Sequence, residues 1–425
     1  MPQLRVLIVG ASIAGPTAAY WFARAGAKVT VIERFPQLRT NGQNIDIRTV
    51  GVTVMRRMPG MEEAVRAKTI PLKGIGFVRS DGCPYGIIST TGDPDQQSLV
   101  SEYEIYRGDM SRLLYDRTVT NPNITYIFGE QVVSIQEPNE KNGEDSPVTV
   151  EFANGTPAAE FDLVVACDGA TSRTRAIGFG VGVRDHLVPT GSWAAYFSIK
   201  HDLLEGADNI GKAYNAIGGR FIAAAPDPWG VNRVVMIKHQ PPTHGSDATR
   251  PFREAMQHGE NALKNFVAQT YRGAGWKCDE VIQDMMEAED FYASEIVHVK
   301  LPHLSRGRFV LVGDAGYAAS TGTGTSLAMA GAYVLAGEVC KHKGDLAGAL
   351  RRYEDVMRPL IGDMQKVPRF LPSIFTPQTA WGLWFRNMVF AFLCWSGILE
   401  LTQKFFAGSF ANTDKYQLPE YQWEE

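Results

Sequence analysis

Residues 10–15 and Glu33 are the first places in the chain where residue type and spacing could do chemistry. The segment reads Gly10-Ala11-Ser12-Ile13-Ala14-Gly15, and Glu33 closes the next apolar run. A glycine turn followed at that distance by an acid is a device for holding a dinucleotide. Gly10 allows a sharp turn. Gly15 lets a helix lie close to a sheet. The free N–H groups around Ser12, Ile13 and Ala14 face a pyrophosphate, aided by the positive end of the helix dipole. Glu33 can accept hydrogen bonds from ribose hydroxyls, and its charge disfavours a 2′-phosphate, so NADP is not the expected occupant. The second glycine of G-x-G-x-x-G is replaced by Ser12, the next smallest residue that keeps a donor.

These groups need a frame. The apolar runs Val6–Val9 and Val29–Ile32 predict two strands around a small-residue helix. Phe161–Ala166 predicts a buried strand ending at Asp168, and Phe309–Val312 another ending at Gly313-Asp314. Gly322-Thr323-Gly324-Thr325-Ser326 opens a helix that runs to Lys343. Thr40–Val50 is a polar loop leading into a short helix, and Arg107 opens a helix through Arg117. Ile124–Phe128, Val132–Gln136 and Val148–Phe152 alternate, which predicts antiparallel strands with a charged turn at 139–147. Trp193–Lys200, Phe221–Ala225 and Val231–His239 predict a separate sheet, with a turn at 226–230 and an amphipathic helix at 252–266. The nucleotide-type segments 10–34, 168–175 and 313–326 lie far apart. The chain must therefore leave the first domain and return. The expected division is 1–71, 106–178 and 296–372 for the nucleotide domain, 72–105 and 179–295 for an inserted substrate domain, and 373–425 for a C-terminal helix and tail.

The chain has 425 residues, enough for more than one core. Its net charge is −4 with no basic block, which argues against nucleic acid as a partner. Five scattered cysteines sit at no metal-ligand spacing and read as free thiols. No metal is expected. The first strand begins near residue 4, leaving no room for a leader, so the expected location is cytoplasmic. Asn387–Leu399 carries no charge but is shorter than the roughly 20 residues that a membrane span needs. Apolar residues at 381, 384, 385, 388, 392, 395 and 399 follow helical spacing, which predicts a long helix packed along the protein by that stripe, with membrane-surface contact or a dimer face as alternatives, and no integral span. A monomer and a homodimer are both compatible with the sequence.

Three signatures in order resemble the class A flavoprotein monooxygenases, the p-hydroxybenzoate hydroxylase-like group. They are G-A-S-I-A-G with Glu33-Arg34, C-D-G-A-T-S-R at 167–173, and G-D-A at 313–315. Within the group, G-Q-N-I-D-I-R at 42–48 and L-P-E-Y at 418–421 are most similar to tetracycline-inactivating monooxygenases and their fungal secondary-metabolite relatives. The resemblance implies an α/β fold: a Rossmann-like FAD-binding domain interrupted by a mostly antiparallel β-sheet substrate domain, plus a long C-terminal helix.

It also implies roles. Glu33 binds the adenosine ribose of FAD, with Arg34 beside it. Arg107 reaches the flavin side of the cofactor. Asp46 and Arg48 border the flavin ring near the substrate, and Arg48 and Arg107 are the catalytic candidates. Asp168 serves FAD and NAD(P)H near the pyrophosphate, and Asp314 holds the ribityl chain. The helix opening at Gly324, Thr325 and Ser326 points its N-terminus at the pyrimidine edge, where reduced flavin is anionic.

The implied reaction is reduction by NADPH, with NADH possible, then addition of O₂ to give a flavin C4a-hydroperoxide. One oxygen atom then passes to a cyclic or polycyclic, aromatic or polyketide-like molecule. An oxidase, a cyclase, a Baeyer–Villiger enzyme and a non-catalytic flavin-binding scaffold remain as alternatives. The stretch 317–323 lacks the proline that many relatives carry there and reads as shorter than theirs. Trp193, Ala195 and Phe197 share one strand face, and Ala194 and Tyr196 the other. Either face could line the substrate pocket, so Trp193, Tyr196, Phe221 and Met236 are candidates. Arg173 and Arg175 read as solvated or phosphate-near charges. Asp168 could instead be a turn acid, and Asp314 a helix cap.

Overall fold

The computed structural model describes residues 3–69, 72–90, 103–137, 146–204, 206, 209–227, 230–241, 247–320, 322–366, 374–399 and 416–423. Most of the turn at 139–147, the centre of the turn at 226–230 and the expected boundary at 372 fall outside these residues.

A six-stranded sheet carries the nucleotide-type segments. Arg5–Val9 runs parallel between Leu163–Ala166 and Lys28–Glu33. Phe309–Leu311 and Ile124–Phe128 add parallel strands outside these, and Ser305–Arg306 closes one edge antiparallel. The central strands are near-continuous runs of Val, Leu and Ile because a parallel sheet is covered on both faces. Helices Ala14–Arg24 and Gly324–Lys341 cover one face through Trp21, Phe22, Leu327 and Met329. The other face packs against an antiparallel three-stranded sheet of Val132–Gln136, Val148–Phe152 and Ala159–Phe161. Ile124–Phe128 is thus not one of the antiparallel strands that its alternation predicts. It is the parallel edge strand, and only its edge position leaves it half-covered.

A seven-stranded sheet forms a second layer. Its order runs Tyr292–Val299, Leu187–Ile199, Asn232–His239, Arg220–Pro226, Ile210–Ala216, Gly74–Val78 and Pro84–Ser89. All neighbours are antiparallel except Ile210–Ala216 with Gly74–Val78. One face of this wide sheet is sealed by helices Arg250–Gln257, Glu260–Tyr271 and Cys278–Glu287. The single helix predicted at 252–266 breaks in two at Gly259, whose φ of +96° suits glycine. Strand Tyr292–Val299 continues past the boundary expected at 295. Glu104–Tyr106 pairs with Asn44–Asp46 in a small sheet of its own.

The C-terminal helix Ala380–Trp395 lies on the far edge of the wide sheet. Phe390 meets Phe77 edge-on at 5.1 Å, and Cys394 covers Gly86. The predicted stripe is not the packed face. Trp381, Trp384, Phe385, Met388, Phe392 and Trp395 are exposed, Trp395 by 84%. The helix turns inward the side that carries Arg386 and Asn387, because Arg386 finds an acceptor in Asn215 of the wide sheet, so apolar periodicity points to the wrong face. Residues 416–423 then pack on the nucleotide layer. Trp423 lies 4.7 Å from Trp21, and Leu418 is buried. Among the described residues, no helix is long and apolar enough to cross a membrane.

Buried Glu130 ties the strand junctions beside the edge strand. Its carboxylate accepts the N–H groups of Gln131 (2.9 Å), Asn154 (2.8 Å) and Thr156 (3.2 Å). Burial alone would raise this carboxyl, but the donors outweigh it and bring it down to about 2. A depressed carboxyl stabilises the fold above its ordinary value of 4.5 and loses that contribution as the pH falls toward about 2. Glu130→Gln should therefore cost on the order of 2 kcal/mol at pH 7. The gap to the parent should shrink as the pH is lowered from about 4.5, in urea titrations at stepped pH. A pH-independent gap would contradict this account.

Candidate active site

The glycine turn has no room for side chains. Gly10 has φ +109°, and a Cβ there would lie 2.6 Å from the carbonyl oxygen of Cys167. A Cβ on Gly15 would overlap the carbonyl oxygen of Gly10. Ile13 and Ala14 form the buried start of the helix. Glu33 accepts the Ala11 N–H at 2.9 Å and the Phe35 N–H at 3.1 Å. An ionised carboxylate has about four acceptor sites, so capacity for further donors remains. Ser12 Oγ accepts from Arg107 Nη2 at 2.9 Å. Arg34 is exposed, with its guanidinium 4.8 Å from the centre of the Phe35 ring.

Two other chain tips meet this turn. A Cβ on Gly313 (φ +68°) would touch Ala14 Cβ at 3.1 Å and Ala328 Cβ at 3.4 Å. A Cβ on Gly324 would lie 3.4 Å from Asp314 Oδ1. The first helix, the Asp314 turn and the Gly324 helix therefore converge on one spot. Asp314 lies deep in the molecule, yet its side chain stays open to water, as a group on the floor of a cleft does. Burial raises its carboxyl, and Arg107 opposes that shift. Arg175 is not a solvated charge. It is fully buried, donating to the carbonyls of Ala315 and Val183 at 2.8 Å each, and so it fixes the turn that carries Asp314. Asp168 is engaged by its own turn. It accepts from Ser172 Oγ (2.5 Å), Thr174 N (3.1 Å) and Thr174 Oγ1 (2.9 Å), and so supports the first turn of the helix Arg173–Phe179, which Ser172 caps.

The loop 40–51 forms one wall. Gly42 packs on Arg107 Cδ, where a Cβ would stand at 3.1 Å, and a Cβ on Gly51 would reach Ser326 Oγ at 2.7 Å. The Arg48 N–H donates to Ser326 Oγ at 2.9 Å, tying the loop to the start of the Gly324 helix. Thr325 and Ser326 are buried there. Asp46 and Arg48 form an ion pair at 3.0 Å. The strand pair 44–46/104–106 turns Ile45 and Ile105 into the core and presents Asn44, Asp46, Glu104 and Tyr106 on its other face. Asn41 Oδ1, Gln43 Oε1, Asn44 Oδ1 and Thr49 Oγ1 are buried without a protein partner. Four such atoms within nine residues mark a wall built to meet a polar ligand.

The uncovered face of the wide sheet forms the opposite wall. Tyr196 and Tyr292 stack there with ring centres 6.2 Å apart, and Arg39 lies 4.7 Å over Tyr292. Burial would raise the Tyr292 phenol, but Arg107 and Arg39 outweigh it and hold the phenol below its usual range. Phe221 shares this face and is half-buried. Trp193 and Met236 do not belong to the wall. They sit on the helix-covered face, and Trp193 stacks on Phe252 at 5.1 Å. Arg233 bridges the two walls, 4.1 Å over the ring of Tyr106. A cleft of about 380 Å³ opens beside it, lined by Thr40, Asn41, Tyr106, Arg112, Arg233 and Asp290 among others.

Sequence reading misses Arg39, Glu104, Arg175 and Tyr292. The Glu104-Ile105-Tyr106 alternation could have flagged Glu104 as facing away from the core. Nothing local signals the other three. Among the described residues, no group of three or more His, Cys, Asp or Glu side chains is placed to hold a metal ion.

A family profile described as an FAD binding domain matches residues 3–349. The chain belongs to this family and is a class A flavoprotein monooxygenase. The FAD-dependent monooxygenase asL4 of Sarocladium schorii is 32% identical over 413 residues, covering 92% of each chain. Monooxygenase CTB7 of Cercospora beticola is 31% identical over 428 residues, covering 98% of this chain and 97% of its own. Among solved structures, tetracycline destructase Tet(51) shares 25% identity at a TM-score of 0.76, covering 99% of this chain and 100% of its own. HpxO of Klebsiella pneumoniae, solved with FAD and uric acid, shares the fold at 21% identity and a TM-score of 0.69 over 94% of this chain and 96% of its own.

The cofactor of this monooxygenase is FAD, and its residues fit that group. The turn offers N–H donors and a backbone with no Cβ in the way, Arg107 and Arg39 supply positive charge, and the 41–49 wall supplies unsatisfied acceptors. Gly15→Val should abolish FAD retention through gel filtration, read as loss of the yellow absorbance, because no rotamer clears the Gly10 carbonyl. A folded variant that keeps its full flavin content would overturn the assignment of this turn.

Proposed function

We propose that this monooxygenase transfers one atom of O₂ to a cyclic or polycyclic, aromatic or polyketide-like small molecule, with NADPH, or NADH, as electron donor. The observation that carries this reading is the facing of two unlike walls. One is polar, with Asp46, Glu104 and Arg48. The other is aromatic, with Tyr196, Tyr292 and Phe221. A flat ring bearing oxygen substituents matches both. The tetracycline named in one structural neighbour and the fungal sources of two relatives support fused-ring substrates.

When bound, FAD supplies hydride acceptance and O₂ activation. The chain's residues hold and orient it. The N–H groups of residues 12–15 take the pyrophosphate, with the helix dipole behind them. Glu33 takes the adenosine ribose, and Arg34 stands at the rim. Asp314 takes the ribityl hydroxyls, and Arg175 keeps its turn in place. Arg107, anchored on Ser12, balances negative charge on the cofactor. The N–H groups of Gly324, Thr325 and Ser326 point positive dipole at the pyrimidine edge. Asp46 and Arg48 border the ring. Asp168 acts at one remove, holding its turn against Gly10.

The FAD-loaded protein, supplied with NADPH and ¹⁸O₂, should convert a member of a panel of polycyclic phenols and tetracyclines into a product carrying one labelled oxygen, read by mass spectrometry. Stoichiometric hydrogen peroxide with an unlabelled, dehydrogenated product would favour an oxidase instead. Asp314→Ala should weaken FAD binding by about tenfold or more, the cost of one to two hydrogen bonds of about 1.5 kcal/mol each. The same variant should raise the ratio of peroxide to labelled product, since a loosely held ring lets water in. An unchanged dissociation constant and ratio would remove Asp314 from this role.

A further inference from the structure

The small sheet beside the loop 40–51 sets two acids against each other. Asp46 and Glu104 are directly opposed in antiparallel register. Such partners hold their Cβ atoms about 4.5–5.5 Å apart on one face. The two acids are not treated alike. Asp46 has Arg48 at 3.0 Å. Among the described residues, Glu104 has no cation within ion-pair distance, although Arg48 acts on it from further off, and it accepts one hydrogen bond, from Asn44 Nδ2 at 3.1 Å. Both lie deep yet keep partial access to water, so they look into the space between the walls. Ile45 and Ile105 lock the strand pair from behind and prevent it from turning the acids elsewhere.

Burial, then the charge of Asp46, push the Glu104 carboxyl up to about 7. Burial also raises Asp46, against the pull of Arg48. Two like charges this close in a poorly hydrated place do not both ionise readily, so a proton stays with the pair to unusually high pH. The other charged groups near this face are Arg233, Asp290 and Asp109, which gather around Tyr106, one residue pair further along. The structural role visible for Glu104 is limited to this one cross-strand hydrogen bond. It caps no helix among the described residues, and its one link across the strand pair is the Asn44 amide, which leaves its other oxygen facing the cleft.

We propose that Asp46 and Glu104 form one proton-holding unit on the substrate wall, and that Glu104 is the base that takes the proton from a phenolic or enolic hydroxyl of the substrate. The inference rests on the oxygen-transfer reading above. The substrate O–H bond breaks, and its proton moves to a carboxylate oxygen of Glu104. The bonding pair stays on the substrate oxygen, and the phenolate or enolate so formed is richer in electrons at the ring carbon that receives oxygen. After transfer the carbon that received oxygen gives up its hydrogen as a proton to the water formed from the second oxygen atom, and Glu104 returns the first proton to the product oxygen. The step consumes no oxidant and no reductant. It selects substrates in which an ionisable hydroxyl is conjugated with the carbon to be oxygenated.

The test uses the FAD-loaded enzyme and its Glu104→Gln and Asp46→Asn variants, with retained flavin and circular dichroism as folding controls. Infrared difference spectra across pH, taken without substrate, should show a protonated carboxylic acid in the parent that persists toward pH 7 and is absent from Glu104→Gln. With a panel phenol that is turned over, kcat/KM of the parent should fall on the acid side with a midpoint near neutrality. Glu104→Gln should lose about 10²- to 10⁴-fold in rate and recover part of it at high pH, where the phenol ionises unaided. Asp46→Asn should move the acid limb to lower pH, because it removes the like charge that raises Glu104. A merely structural role predicts a deficit that pH does not relieve. An acid limb retained in Glu104→Gln, an unmoved limb in Asp46→Asn, or no persistent carboxylic acid in the infrared would overturn the proposal. If no panel member gains oxygen while the infrared signal is present, the oxygen-transfer reading fails and the shared proton stands.

Discussion

The site depends on one steric constraint: three backbone tips must come within van der Waals contact of one another. The carbonyl of Gly10 lies where a side chain on Gly15 would go, and Gly313 sits against Ala14 and Ala328. Any Cβ larger than these would force the sheet, the first helix and the Gly324 helix apart. Donors and dipoles from different parts of the chain reach the same few ångströms only because small residues occupy each contact. The six-stranded sheet supplies the stiffness, since its central strands end side by side and release their loops at one edge.

Electrostatics then distinguishes the parts of the cleft. Arg107 and Arg39 bring two positive charges close together, and burial with the neighbouring Arg39 holds the Arg107 guanidinium below its usual range. That repulsion is offset by Glu33, Asp314 and the Tyr292 phenol, all of which act on Arg107. The arrangement suits a ligand that carries negative charge at one end. At the other end, where Asp46 and Glu104 stand opposed, negative charge is already in excess and a proton is retained. One cleft thus offers an anion-receiving end and a proton-holding end.

The glycine turn and Glu33 were legible because their geometry is local: thirty residues in sequence form a single supersecondary unit. Asp314 and the start of the Gly324 helix were legible for the same reason. The wide sheet was only half legible. Alternation divides Trp193 from Tyr196, but which face the helices cover depends on Phe252, Phe266 and Tyr271, far along the chain. Arg175 misleads because an arginine can be buried when backbone carbonyls receive it, and one of its acceptors lies 140 residues away. Asp168 sits in the expected motif, yet its oxygens serve its own turn. The C-terminal helix turns Arg386 and Asn387 inward and leaves its aromatic stripe exposed, so periodicity finds the helix and misplaces its inner face.

The last part of the chain touches both layers. Arg386 donates to Asn215 in the wide sheet at 2.7 Å, and the carbonyl of Pro419 accepts from Tyr333 at 2.8 Å and from Arg57 at 3.0 Å in the nucleotide layer. These contacts add to the repeated chain crossings that already join the two cores. Loosening either core weakens the contacts that the C-terminal helix or residues 416–423 make with it. The two layers then melt as one cooperative unit, and a ligand that tightens the first layer also protects the second from local opening.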